Sequence, residues 1–268
     1  LMFACKQGYT EIVQLLMQRK DIDVNLQNQA NSTALIFACN NGYTGIVQLL
    51  LQREDIDVNL QNQGNSTALI VACDNGHTEI VQLLLQRENI NINLQGYLDN
   101  TALILACEKG YTEIVQLLLQ REDINLNLQG NHDSTAFIWA CDKGHTEIVQ
   151  LLMQRQDIDV NLKDQDNDTA LILACIQGHT EIVQLLMQRK DIDVNLQGHN
   201  NITALTCACQ KGYTEIVQLL LQREDIDLNL QNQDNNTALT WACFEGHTEI
   251  VQLLFQRENI DVNLQNQG

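Results

Sequence analysis

The apolar positions of this chain recur in a pattern that repeats along its whole length. Each copy contains an Ala-Cys pair, two variable residues, Gly, Tyr or His, Thr, and an Ile-Val-Gln-Leu-Leu segment. The threonines that open the copies are each followed by Ala and are spaced by a constant 34 residues: Thr33, Thr67, Thr101, Thr135, Thr169, Thr203 and Thr237. Together with a first copy that lacks its opening residues, they make eight repeats. A fixed period of this length predicts a repeat architecture.

Each repeat opens with a pattern that predicts a short helix. In repeat 2, apolar side chains at i, i+3 and i+4 (Leu35, Ala38 and Cys39) share one face of a helix over 34–41. Thr33 is expected to cap this helix with its hydroxyl, and Gly42 to end it in the left-handed conformation.

A second helix is predicted to follow after Gly42. Thr44 is expected to cap it, and Arg53 near its end suits the helix dipole. Its broad apolar stripe consists of Ile46, Val47, Leu49, Leu50 and Leu51. The tail over 55–59 is expected to be an extended turn into the next repeat, and runs such as Gln27-Asn28-Gln29 to be solvated loop.

The pattern Thr-x-Leu-x-x-Ala-x-x-x-Gly-His-x-Glu-Ile-Val-x-Leu-Leu-Leu…Asp-Val-Asn resembles the ankyrin repeat over the entire chain. The resemblance implies an all-α solenoid of eight stacked helix-turn-helix units joined by extended hairpin-like turns. The chain departs from the family by having Ala after the Thr in place of Pro, and Ile or Thr in place of a His two residues later. We expect a single array with units near 1–26, 27–60, 61–94, 95–128, 129–162, 163–196, 197–230 and 231–268.

The two end repeats resemble internal ones and lack the polar outer faces that usually close an array. The first lacks its turn, and the last keeps four apolar residues on its second helix: Ile250, Val251, Leu254 and Phe255. We therefore expect the chain to be a fragment of a longer array.

Composition narrows the range of partners. Fifteen basic and thirty-four acidic residues give a formal charge of −19, which repels phosphate backbones and anionic lipid headgroups. No apolar run is long enough for a transmembrane helix. These features argue against nucleic-acid binding and membrane insertion, and the surface expected of such an array does not suit a small-molecule substrate.

The most variable positions between repeats lie four, seven and eight residues after each repeat threonine, on one face of the first helix. The resemblance implies that this helix and the turn tips line a concave groove that holds a protein partner. The candidate partner-binding residues are Tyr97, Leu105, Lys109, Trp139, Asp142, Lys143, Ile176, Trp241 and Phe244. An alternative interpretation treats Trp139 and Trp241 as packing variants between neighbouring first helices.

The nine cysteines favour a reducing compartment, and hence a cytoplasmic location. Eight of them, Cys5 through Cys243, recur once per repeat and are expected to be small buried residues, whereas Cys207 is expected to be a partly exposed thiol. Two Cys-His pairs, Cys141 with His145 and Cys175 with His179, have the residue types of a zinc site. Because a Gly separates Cys from His in each pair, we expect no metal site and no cofactor.

No pattern in the chain predicts an enzyme. His132-Asp133-Ser134 contains the residue types of a hydrolytic triad, but a triad is defined by spatial geometry, and the same segment in other repeats is a turn. Five Asn-x-Thr sequons arise where turn asparagines precede the repeat threonine. The sequence therefore predicts a protein-interaction module. The alternatives are a structural spacer and a regulatory segment of a larger enzyme or channel.

Overall fold

A computed structural model describes residues 1–264, which form two compact units, Leu1–Asn131 and the segment that begins at His132. The N-terminal unit contains α1 (Met2–Gln7), α2 (Thr10–Met17), α3 (Ala34–Asn40), α4 (Thr44–Leu51), α5 (Ala68–Asp74), α6 (Thr78–Leu85), α7 (Ala102–Lys109) and α8 (Thr112–Leu119). The C-terminal unit contains α9 (Ala136–Asp142), α10 (Thr146–Met153), α11 (Ala170–Gln177), α12 (Thr180–Leu186), α13 (Ala204–Lys211), α14 (Thr214–Leu221), α15 (Ala238–Phe244) and α16 (Thr248–Phe255). Short 3₁₀ turns lie at Tyr97–Asp99, Asn131–Asp133 and His199–Asn201.

Within each unit the helices stack in two rows. In the N-terminal unit the first helices of successive repeats pack in the order α1, α3, α5 and α7, and the second helices in the order α2, α4, α6 and α8. The C-terminal unit repeats this arrangement with its odd- and even-numbered helices. The described residues contain no strand, only one isolated β-bridge between Lys163 and Thr169. The predicted all-α repeat fold is confirmed, and the predicted last repeat, 231–268, ends outside the described residues.

The first helix of each repeat begins and ends as predicted. Thr33 Oγ1 accepts a hydrogen bond from the N–H of Ile36 at 3.2 Å, and the other six repeat threonines cap their helices in the same way. Gly42 adopts φ of +74°, which a side chain with a Cβ rarely tolerates. The helix ends at Asn40, one residue before the predicted end.

The prediction that Thr44 caps the second helix is wrong. Thr44 is the first helical residue, and the cap position belongs to Tyr43, whose side chain makes no capping bond. The carbonyl of Tyr43 accepts from the N–H groups of Ile46 and Val47, both at 3.0 Å. The helix starts there because the left-handed Gly42 turns the backbone, so that no side-chain cap is required.

The cysteines pack in the core, with two departures from prediction. Cys39, Cys73, Cys107, Cys141, Cys175 and Cys209 are buried beside the core alanines. Cys207 was expected to be partly exposed, but it is 4% exposed, and this burial raises the pKa of its thiol to about 12. Cys243 was expected to be buried, but it is exposed, because α13 is the only first helix among the described residues that packs against α15.

The tail asparagines join neighbouring repeats through two hydrogen bonds each. Asn25 donates from Nδ2 to the carbonyl of Asp55 at 2.7 Å, and its Oδ1 accepts from the N–H of Asp57 at 2.8 Å. The same pair of bonds recurs at Asn59, Asn93, Asn161, Asn195 and Asn229. We call this the asparagine ladder. It satisfies backbone groups that have no helical partner.

The Gln-Asn-Gln runs also form a second ladder. Gln27-Asn28-Gln29 is an exposed loop, as predicted. Gln27 also donates from Nε2 to the carbonyl of Asn31 at 2.7 Å and to the carbonyl of Gln61 in the next repeat at 3.0 Å. In the C-terminal unit, Lys163 takes the glutamine position and donates to the carbonyl of Gln197 at 2.8 Å. These side chains connect adjacent turns.

The arginines that follow the second helices also connect repeats. Arg53 lies beyond the end of α4 and forms an ion pair with Asp55, with the guanidinium and carboxylate 2.6 Å apart. It also donates to the carbonyl of Ile22 in the preceding repeat at 3.4 Å. The side chain therefore holds the turn between repeats, in addition to the predicted role at a helix end.

Two kinds of turn tip occur along the chain. In the first kind, an Asx residue such as Asn62 accepts from two backbone N–H groups of its own turn, Gly64 and Ser66. In the second kind, a Gly such as Gly130 stands at the same position, and an acceptor from the preceding repeat, Asn100 Oδ1, bonds the N–H of Asn131 at 3.0 Å. Both kinds place the third following residue at positive φ, which explains why that residue is always Asn or Asp.

Candidate protein-binding surface

The variable positions of the repeats form a continuous strip within each unit, which we call the first-helix face. It consists of the residues four, seven and eight positions after each repeat threonine. The first of these residues is half-buried in six repeats: Phe37, Val71, Leu105, Trp139, Leu173 and Trp241. Phe3 is exposed and Cys207 is buried at the same position. The residues immediately before and after, such as Ile36 and Ala38, are buried and nearly constant.

In the N-terminal unit, two large exposed side chains lie at the fourth tip, beside the first-helix face. Tyr97 is 68% exposed and Leu98 is 48% exposed. Leu98 adopts φ of +56°, a left-handed conformation that costs a branched side chain conformational energy. Two other candidates lie on α7: Leu105 is half-buried, and Lys109 is exposed and pairs with Asp74 across a 3.4 Å Nζ–Oδ1 distance.

In the C-terminal unit, Trp139 lines a cavity. The Nζ atom of Lys143 lies 5.0 Å from the centroid of its ring, and the ring of His132 meets it edge-on at 6.4 Å. The cavity of about 210 Å³ is lined by His132, Ser134, Ile138, Trp139, Asp142, Asp164, Gln165, Asp166 and Leu173. The Nε1 atom of Trp139 is buried without a hydrogen-bond partner among the described residues.

The candidates Asp142 and Lys143 form a polar cluster beside Trp139. Asp142 Oδ2 accepts from Lys143 Nζ at 2.9 Å, and Oδ1 accepts from Gln177 Nε2 of the next repeat at 2.9 Å. The structure therefore brings three predicted residues together. It also shows that Asp142 already has partners within the chain.

Ile176 lies at a second cavity in the following repeat. This cavity, of about 390 Å³, is lined by Asp166, Asp168, Ile176, His199, Ile202 and Cys207. Asp166 borders both cavities, so that they are neighbours along the C-terminal unit.

The remaining candidates, Trp241 and Phe244, form an edge-to-face aromatic pair on α15. Their ring centroids are 5.9 Å apart at an interplanar angle of 86°. Phe244 is 81% exposed, whereas Trp241 is half-buried, with its Nε1 atom buried and without a partner among the described residues.

Sequence reasoning missed the carboxylates of the sixth turn tip. Asp164 Oδ1 accepts from the N–H groups of Asp166 and Asp168, at 3.0 and 2.8 Å. Asp168 Oδ1 accepts from the N–H of His199 at 2.9 Å. Burial raises the pKa of Asp164 and of Asp168, because it removes their carboxylates from water. Three Asp in a single tip is the sequence signal that would have found them.

The histidines and tyrosines that follow the helix-ending glycines pack on the preceding repeat. The ring of His179 lies over Gly144, where an added Cβ would come within 2.7 Å of its Cε1. Its Nε2 lies 3.0 Å from the carbonyl of Asp142. These contacts support the structural interpretation of the position. Among the described residues, no group of three or more Cys, His, Asp or Glu side chains is arranged to hold a metal ion.

No described helix is both long and apolar enough to cross a bilayer. Comparison with curated proteins found no match to this chain. The family described as ankyrin repeats (3 copies) matches residues 1–96, 55–130, 93–164, 154–232 and 189–266, and thus nearly the whole chain. Proteins of this family are generally protein–protein interaction modules, and their all-α fold is typically a non-enzymatic binding scaffold. The repeat pattern, the paired helices and the family match together show that this chain belongs to the ankyrin-repeat family.

Proposed function

We propose that the first-helix face and the turn tips bind a partner protein or an extended peptide, and that the chain has no catalytic activity of its own. One observation carries the proposal. Sequence variation between repeats is concentrated at positions that packing leaves half-buried or exposed, such as Trp139 and Tyr97, while buried neighbours such as Ala140 stay constant. Variation of this kind changes what a surface recognises and leaves the scaffold intact.

The chemistry of the face supports recognition of a macromolecule. Large aromatic side chains with exposed area are enriched among residues that dominate binding energy. Tyr97 is 68% exposed, Phe244 is 81% exposed and pairs edge-on with Trp241, and Trp139 forms part of a cavity wall. The partner-binding residues remain those proposed from the sequence: Tyr97, Leu105, Lys109, Trp139, Asp142, Lys143, Ile176, Trp241 and Phe244.

The proposed location is the reducing cytoplasm. All nine cysteines are free thiols, and eight of them are buried, which is typical of proteins in reducing compartments. The free thiols support this location.

Selection of displayed random peptides against the whole chain tests the proposed function. For a selected peptide, Trp139→Ala is expected to weaken binding by about 2–4 kcal/mol, with Trp241→Ala tested in parallel. Gln150→Ala provides the matched control, because Gln150 is exposed on α10 and recurs in every repeat. Urea unfolding of each variant separates a loss of binding from a loss of fold.

Two results would contradict the proposal. Full affinity in both tryptophan variants would remove these residues from the site. A failure to select any saturable peptide or protein partner would favour the structural-spacer alternative instead.

A further inference from the structure

We infer that the partner of the C-terminal unit is a basic segment, and that the Trp139 cavity receives an arginine or lysine side chain. The inference rests on the proposed function and specifies the chemistry of its partner. Four acidic side chains, Asp142, Asp164, Asp166 and Asp168, line the Trp139 cavity and its neighbour at Ile176.

The Trp139 cavity combines the two features that a long cationic side chain requires. Part of its lining is apolar, formed by Trp139, Ile138 and Leu173, which suits the methylene stem of arginine or lysine. Another part carries the carboxylates of Asp164 and Asp166, which suit the charged end group. A neutral apolar side chain would cover these carboxylates without replacing their hydration.

The ring of Trp139 is already positioned for a cation. Lys143 Nζ lies 5.0 Å from the ring centroid and 2.9 Å from Asp142, so that one cation contacts both an aromatic ring and a carboxylate. Asp164 and Asp166 line the same cavity as this ring, and neither forms a salt bridge with any described residue. An incoming guanidinium would therefore meet an aromatic ring and carboxylates within one cavity.

The side chain of Lys163 is bonded to the next turn. Its Nζ donates to the carbonyl of Gln197 at 2.8 Å, because Lys163 occupies the glutamine position of the turn-to-turn ladder. Lys163 lines neither the Trp139 cavity nor the Ile176 cavity. The net charge of −19 reinforces the preference of these carboxylates for a cation. It attracts a basic partner and repels an acidic one or a second copy of this chain.

The second cavity specifies a further feature of the segment. Ile176, Ile202 and Cys207 give this cavity an apolar lining, which suits an aliphatic side chain. Adjacent first helices are separated by roughly 8–10 Å, and an extended chain advances about 3.3 Å per residue. The segment therefore carries its basic residue about two or three positions from an aliphatic residue.

The test uses three matched peptides and the whole chain. Each peptide is an acetylated and amidated eight-residue segment with a leucine three positions from arginine, citrulline or glutamate. Isothermal titration calorimetry measures the affinity of each peptide. We expect the arginine peptide to bind about tenfold more tightly than the citrulline peptide, and the preference to shrink at high salt.

Two further variants test whether the carboxylates of Asp164 and Asp166 cause the preference for arginine. The double variant Asp164→Asn with Asp166→Asn keeps side-chain acceptors, as Asn62 does in an equivalent tip. We expect this variant to remove most of the preference for arginine over citrulline. Asp234→Asn, in the eighth tip and outside both cavities, is the control that is expected to keep the preference.

Three outcomes would overturn the inference: equal binding of the arginine and citrulline peptides, no binding of the arginine peptide, or an equal loss of preference in the Asp234 control. These outcomes are distinct from failure of the proposed function. If the citrulline or glutamate peptide binds and Trp139→Ala abolishes that binding, the face binds peptides and only the basic partner is wrong.

Discussion

The two compact units share one framework but present different surfaces. Both contain the same capped first helices, buried second-helix stripes and asparagine ladder. Their tips differ in charge. The three tips that lie wholly within the N-terminal unit carry one carboxylate, Asp99, whereas the tips from His132 onward carry Asp133, Asp164, Asp166, Asp168 and Asp234. Framework and surface have therefore varied independently, because different positions of the repeat supply them.

The largest expected effect tests whether the framework is equivalent in the two units. Leu118 and Leu152 are both fully buried on second helices. Leu118→Ala and Leu152→Ala should each lower the free energy of unfolding by about 2–5 kcal/mol, since each leaves a cavity. Urea unfolding measures both, with Gln116→Ala and Gln150→Ala as exposed controls. A loss in only one unit would show that the shared pattern conceals different packing.

The next largest effect is expected from alanine substitutions at two glycine-containing tips, one in each unit. An added Cβ on Gly130 would lie 3.0 Å from Ile104 Cδ1 and 3.1 Å from Asn100 Cα, and one on Gly198 would lie 3.0 Å from Ile172 Cδ1. Gly130→Ala and Gly198→Ala should therefore each cost about 1–3 kcal/mol of unfolding free energy.

Gly45→Ala is the control for this pair. Nothing lies within 4 Å of an added Cβ there, and Gly45 is inside α4, so that alanine should stabilise by about 0.5–1 kcal/mol. Thermal or urea unfolding should show that alanine lowers the unfolding free energy at Gly130 and Gly198 and raises it at Gly45. Equal effects at all three glycines would contradict the packing explanation.

The asparagine ladder should contribute a smaller but measurable amount in both units. Asn59 bonds Asn91 N and Asn89 O, both at 2.8 Å, and Asn161 bonds the corresponding groups of Asp193 and Asp191. Alanine at either position should cost about 1–2 kcal/mol, because two backbone groups lose their partner.

Asn59→Asp sharpens this measurement. Aspartate keeps the acceptor for Asn91 N and loses the donor to Asn89 O, so its unfolding free energy should lie between those of the wild type and the alanine variant. Gln82→Ala, an exposed change on α6, serves as the control. A ladder variant that unfolds like this control would show that water replaces the bonds without cost.

The smallest effect concerns two equivalent acceptors, Asn100 in one unit and Asp168 in the other. Burial raises the pKa of Asp168, so its ionised form is penalised in the folded state. This penalty is fully present above the folded pKa and vanishes as the pH falls below the ordinary carboxyl value of about 3.9. Asp168→Asn keeps the acceptor for the N–H of His199 and should stabilise the protein at pH 7.

The unfolding free energies of the wild type and Asp168→Asn, measured from pH 7 down to pH 3, test this prediction. The advantage of Asp168→Asn should shrink as the pH falls. An advantage that is constant across the range, or that grows in acid, would show that the charge of Asp168 is not the cause.

Sequence reasoning predicted the parts of the fold that depend on chemistry within one repeat. The cap at Thr33 and the left-handed Gly42 follow from the residues themselves, and the apolar spacing of Leu35 and Ala38 follows from helix geometry. The family resemblance supplied the stacking. The error at Thr44 arose because threonine is a good cap residue in general, whereas here the preceding backbone turn starts the helix.

The parts that escaped prediction depend on distances between repeats. The bonds of Asn25 to Asp55 and Asp57 join residues with no local signal of contact, and the burial of Cys207 depends on neighbouring helices. In the candidate binding site, too, contacts between repeats could not be predicted. Trp139 and Ile176 were found as unusual residues, but only coordinates place Asp164 and Asp166 beside them.

The ladders restrict how such a chain can change length during evolution. Their bonds join residues 30, 32 or 34 positions apart, so a gain or loss of 34 residues preserves all of them. An insertion of any other length within a tail would shift the three sets of partners at once. Near-identical copies also favour unequal recombination of the coding segments. Growth and shortening by whole repeats, with later divergence of the tips, is the route that this bonding pattern leaves open.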